Sequence, residues 1–303
     1  MASDETLRSI KGRLGRVGVW LGVLRAGTIP QEREAARRIE ELGYGSLWTG
    51  ERIGGKEAFS HQSVLLGATE TLVTGTGIAN VWARHPATMQ GGAATLGGAY
   101  PGRFVLGLGI SHAPMIDSSG QHYEKPLDHM RRYLDAMDAA ALDDPVTDAD
   151  VPRVLAALRP QMLDLARERA DGAHPYFVPP EHTPVARAAL GLGKLLIPEQ
   201  AVVLENDPAA ARRVARAHMD LYLKLPNYVN NLRHLGYTDE DVASGGSDRL
   251  VDAVVAWGDE SAIVTRVHEH LDAGADHVLL QPLGDLEGAL GQLERLAPAL
   301  NDT

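Results

Sequence analysis

The side chains best able to carry chemistry in this chain are histidines, and none of them sits in a familiar motif. His112 follows Ser111, but adjacent residues on an extended loop point apart, so the two form no dyad by spacing alone. His174, Tyr176, Glu181 and His182 fall within one short loop that Pro175, Pro179, Pro180 and Pro184 stiffen. That spacing suits a pocket rim and carries no metal-ligand signature, so no metal is expected. His268 and His270 lie two apart on an expected helix, face different ways, and are expected at a solvated surface. An imidazole with a pKa of about 6.5 can take or give a proton near neutral pH.

Gly107 and Gly109 begin a G-x-G-x-x-G pattern, but His112 holds the third glycine's place. A dinucleotide loop is therefore not expected. The patterns G-x-x-x-x-G-K-[ST], H-E-x-x-H and G-x-S-x-G do not occur. The chain has no cysteine, which removes disulfides, thiolate metal sites and cysteine nucleophiles.

The elements that would position these residues alternate regularly. Short apolar runs at 17–24, 45–49, 72–82, 103–110, 154–158, 173–178, 200–204 and 276–281 read as strands. Helical patterns separate them: Pro30 opens one helix and Gly43 closes it, and Leu127, Met130, Leu134 and Met137 make an apolar stripe. Eight strands alternating with helices predict an α/β fold, a (β/α)₈ TIM barrel spanning 1–303 as one domain. Residues 207–258 hold extra helices, read as a helical insertion before the last strand. In such barrels the active site lies at the C-terminal strand ends. That rule selects Glu51 and Arg52, Asn80 and Trp82, Ser111 and His112, Arg159, the 174–182 loop, and Gln281.

Lys and Arg total 29 against 40 Asp and Glu, a net charge of −11. This argues against nucleic acid, which needs a basic face, and against an anionic membrane surface. The first 16 residues hold both charge signs and no apolar h-region, and no run of about 18 apolar residues occurs. A cytoplasmic protein is expected.

Three segments together resemble the bacterial luciferase-like flavin superfamily, in particular its coenzyme F420-dependent oxidoreductases. They are EELGYGSLWTGE (40–51), LVTGTGIANVWARHPATM (72–89) and GRFVLGLGISHAPMI (102–116). Similarity continues through 153–160, 170–183, 228–237 and 272–281, so it covers nearly the whole chain.

The resemblance implies a barrel that holds a flavin-shaped cofactor at its mouth, coenzyme F420 or alternatively FMN, and moves a hydride to or from a small organic substrate. The alternatives are an FMN-dependent monooxygenase and a non-catalytic barrel. By motif match, a non-proline cis peptide would join Gly77 and Ile78. Gly77, Ile78, Ala79, Asn80, Gly109, Ser111 and Arg159 would contact the cofactor. His112 and Glu51 would move the proton. Trp48, Trp82, His174, Tyr176 and His182 would line the substrate pocket. Arg52 stands where some relatives carry a catalytic His, and His112 where some carry a Glu donor. Family habit implies a homodimer, and the small residues of the 91–98 helix would allow close packing.

Overall fold

A computed structural model describes residues 1–140 and 149–301. The expected alternation is present. Strands β1 (Val17–Trp20), β2 (Ser46–Thr49) and β3 (Val73–Thr76) lead to the two-residue β4 (Ala79–Asn80), then β5 (Phe104–Gly109) and β6 (Arg153–Leu155). They continue through β7 (Gly172–Ala173), β8 (Leu195–Leu196), β9 (Glu199–Val203), β10 (Val255–Trp257) and β11 (Val278–Pro282). All pair in parallel, in the order β10-β9-β11-β1-β2-β3-β5-β6-β7-β8.

The last strand of that order, β8, and its second, β9, lie in one run of chain. β8 pairs with β7, and β9 pairs with β11 and β10, yet only Ile197 and Pro198 separate them. Ile197 N–H donates to Ala173 O and Glu199 N–H to Pro175 O, both at 2.9 Å, while Pro198 O accepts from Leu279 N–H at 2.9 Å. Residues 195–203 thus close the barrel.

Two expectations change. The strand read at 173–178 stops at Ala173, because Pro175 lacks the N–H a ladder needs and Phe177 has a φ of 59°. The insertion is not wholly helical. Helices Pro208–Tyr222, Pro226–His234 and Asp248–Val254 end in β10, which pairs with the outer half of β9. The fold is otherwise the α/β barrel expected, with apolar faces of the surrounding helices packed on the strands.

The barrel interior is filled by side chains. Trp48 is fully buried at its centre. Gly75 makes room for it, since a β-carbon there would sit 2.4 Å from the indole; one on Gly107 would sit 1.9 Å from Thr76 O and 3.3 Å from the indole. Below it runs a directed hydrogen-bond chain. Trp48 Nε1–H donates to Ser46 Oγ (3.0 Å), Ser46 O–H to His277 Nε2 (2.7 Å), and His277 Nδ1–H to Gly15 O (3.1 Å). No helix among the described residues is long and apolar enough to cross a membrane.

Candidate active site

At the C-terminal ends of the strands, the mouth of the barrel, two kinds of wall meet. One wall is the interruption between β3 and β4, where Gly77 and Ile78 are joined by a cis peptide bond and are partly exposed. Trp20 supports it from beneath, its Nε1–H donating to Gly77 O at 3.0 Å. A β-carbon on Gly77 would lie 2.5 Å from Trp20 Nε1 and 3.2 Å from His174 Nε2, so only glycine leaves the backbone and these two rings in place.

The other wall is aromatic. Tyr176 from the loop after β7, Tyr222 at the end of helix Pro208–Tyr222 and Tyr228 in helix Pro226–His234 lie within 6.4 Å of one another, centroid to centroid. Trp20 packs against Tyr176 at 5.2 Å. Burial pushes all three phenols up from their ordinary pKa, so they stay neutral. Glu199 lies close enough to raise the same phenols further. It is 1% exposed, its Oε2 accepts from Phe177 N–H at 3.0 Å, and burial lifts its carboxyl to about 8. The polar groups around the mouth are therefore mostly uncharged.

His112 stands at the mouth's edge, just before the helix Ala113–Asp117. Its ring lies 5.3 Å from Tyr228, and the Asn227 side chain hydrogen-bonds it. Burial lowers its pKa, and the bond to Asn227 opposes that. Ser111, at a φ of 57°, turns the chain there. Arg25, Arg52 and Arg159 are exposed at three strand ends, and Arg159 precedes helix Pro160–Arg169.

Several expected site residues work behind this surface. Glu51 pairs with the Arg84 guanidinium, and its carboxylate also accepts from Asn80 N–H (2.8 Å) and Ala58 N–H (3.1 Å). With both oxygens occupied, it braces β4. Ala79 and Asn80 are buried, and Asn80 Oδ1 caps Trp82 N–H at 3.0 Å. Gly109 lies under the Ile78 side chain. Gly77, Ile78, Ser111 and Arg159 are the expected cofactor contacts that solvent reaches.

The pocket expectations are corrected in part. Trp48 is interior packing. His182 is 1% exposed and bonds Leu158 O through Nε2 at 2.6 Å, anchoring the end of β6. Trp82 donates to Ile110 O (2.9 Å) and stacks on His129 at 3.8 Å, lining an outer groove of about 480 Å³. Tyr176 and His174 do meet, with ring centroids 6.5 Å apart, His174 being buried. His270, expected in solvent, is fully buried between Thr183 Oγ1 (2.7 Å) and Gln200 Oε1 (3.1 Å), because its helix turns that face to the sheet. Gly92 and Gly97 pack inside the chain, against Phe59 and Val151. Among the described residues no cluster of three acidic or histidine side chains could hold a metal.

Tyr222, Asn227 and Tyr228 carried no sequence motif. Their one signal is two tyrosines flanking Pro226.

Comparison with known proteins gives a consistent picture. The family model described as luciferase-like monooxygenase matches residues 14–277. A Mycobacterium tuberculosis protein named as a coenzyme F420-dependent oxidoreductase is 25% identical over 308 residues, 80% of this chain and 88% of its own. A 5,10-methylenetetrahydromethanopterin reductase of Methanolobus tindarius is 27% identical over 153 residues, 45% of this chain and only 47% of its own. An F420-dependent secondary alcohol dehydrogenase, solved with an F420–acetone adduct, superposes with a TM-score of 0.76 at 15% identity, over 94% of this chain and 99% of that one. The FMN-bound oxygenating constituent of 3,6-diketocamphane monooxygenase from Pseudomonas putida gives 0.69 at 14% identity, over 94% and 97%. These superpositions show a shared fold.

Proposed function

Because the chain belongs to the luciferase-like monooxygenase family, a family of enzymes, we propose that it moves a hydride between coenzyme F420, a deazaflavin, and a small uncharged organic substrate. The observation that carries this reading is the mouth. Its floor is Gly77 and Ile78, its roof is neutral tyrosines, and its charges are arginines outside. A flat ring with an anionic tail suits such a place. The relative named for F420, alike over most of both chains, supports the same cofactor.

The residues present fit the ring. Gly77 and Ile78 are partly exposed, with Trp20 packed beneath Gly77, and His174 keeps a buried nitrogen without a partner close to Gly77. A bound deazaflavin supplies the carbon that takes or releases the hydride. Gly77, Ile78 and Ser111 would hold the ring, and Arg159 would hold its anionic tail. Tyr176, Tyr222 and Tyr228 keep water from the reacting side. His112, held at one nitrogen by Asn227, uses the other to move the proton that accompanies the hydride.

Fluorescence titration of the protein with coenzyme F420 and with FMN tests this. Micromolar or tighter binding of F420 alone is the expected result. Preference for FMN would replace the proposal by a flavin-dependent oxygenase, and binding of neither would leave a non-catalytic barrel.

A further inference from the structure

His174 is 1% exposed and lies between Trp48 and Tyr176, at centroid distances of 5.3 and 6.5 Å. Its Nδ1 is 2.7 Å from Ile197 O. A carbonyl oxygen only accepts, so Nδ1 carries the hydrogen and Nε2 is a bare acceptor. Nε2 has no hydrogen-bond partner among the described residues. It points to Gly77, lying 3.2 Å from where a β-carbon there would be.

The donors on the rings around it are all committed. Trp20 Nε1–H bonds Gly77 O, Trp48 Nε1–H bonds Ser46 Oγ, and Tyr176 O–H bonds Gln281 Oε1. Buried acceptors are rarely left unmet. No ring around it has a hydrogen left to give, and Gly77, the residue it points to, is one that solvent reaches.

We propose that His174 is a positioning residue whose Nε2 accepts a hydrogen bond from the lactam N–H of the bound ring, a group that flavins and deazaflavins share. This rests on the reading that the mouth holds such a ring. It goes further in naming the ring edge that is recognised and the atom that recognises it. Burial lowers the imidazole to about 4, so the acceptor is kept at neutral pH.

The test uses the intact protein with F420 and its derivative methylated at the lactam nitrogen, and FMN alongside. Methylation removes the hydrogen and should weaken binding about tenfold, as expected for one hydrogen bond of roughly 1 kcal/mol or slightly more. In His174→Phe the methyl penalty should shrink to within about twofold. Independently, the ¹⁵N resonance of His174 Nε2 in the unaltered protein should move upfield when either ring binds, a readout that needs no variant to fold. If F420 and its methyl derivative bind equally, or the ring binds while the Nε2 resonance stays put, the assignment is overturned and a resident water is the partner. If neither FMN nor F420 binds, the functional reading itself fails and this assignment with it.

Discussion

Tyr222 gives its hydroxyl hydrogen to Tyr176, and Tyr176 gives its own to Gln281 Oε1, each across 2.8 Å. The direction follows from the last acceptor: an amide oxygen cannot donate, so Tyr176 must, and its oxygen then accepts from Tyr222. One hydroxyl row thus latches the insertion helix to β11. Tyr222→Phe removes the first bond and should weaken the latch by about 1 kcal/mol. Hydrogen exchange should quicken several-fold across 208–234 and stay unchanged in β1 and β11. Equal exchange everywhere would show that the latch contributes nothing.

His112→Ala should lower turnover by about 10²–10⁴ while cofactor affinity changes less than about threefold. Burial favours the neutral imidazole, so where that form is the proton acceptor, turnover should rise with pH through a pKa below 6.5 and then level. Parallel loss of binding and turnover would make His112 a binding residue.

Glu199 bears on stability in the alkaline direction. Its folded pKa of about 8 lies above the ordinary 4.5, so the folded state holds a proton that the unfolded chain releases. Its contribution is complete below about pH 4.5 and is lost as pH rises toward 8. Glu199→Gln should therefore flatten denaturation midpoints across that window. It should also gain on the order of a few kcal/mol over the unaltered protein above pH 8.

Five histidines act in the opposite direction. Burial holds His61, His174, His218 and His277 near 4 and His270 near 3. Their folded pKa values are depressed, so the unfolded state takes up protons first as pH falls below 6.5. Each should steepen acid unfolding by about 1.4 kcal/mol per pH unit between 6.5 and 4. Chemical denaturation at stepped pH measures the slope. A slope near zero would mean these imidazoles gain protons without unfolding.

The barrel was legible because its signal is periodic. Runs such as FVLGLG and VLLQP are buried at every position, as both-sides-covered parallel strands must be. Gly77–Ile78 and His112 were found through resemblance and strand-end position. The role of His182 was not legible, since its partner, Leu158 O, is 24 residues away. His270 misled for a related reason: Thr183 and Gln200, which satisfy it, lie 87 and 70 residues away. Tyr222 and Tyr228 reach the mouth only because the insertion folds back over it, a tertiary fact without local period.

β10 gives the insertion a standing that its position in the chain conceals. It lies against the outer half of β9, beyond the point where β7 stops. The insertion is thus a stave of the barrel as well as its roof, and trimming 207–258 to a short connection would leave the wall open there. Roof and wall should come apart together, and the amide of Gly258, which donates to Val203 O at 3.3 Å, should be as slow to exchange as those of β1.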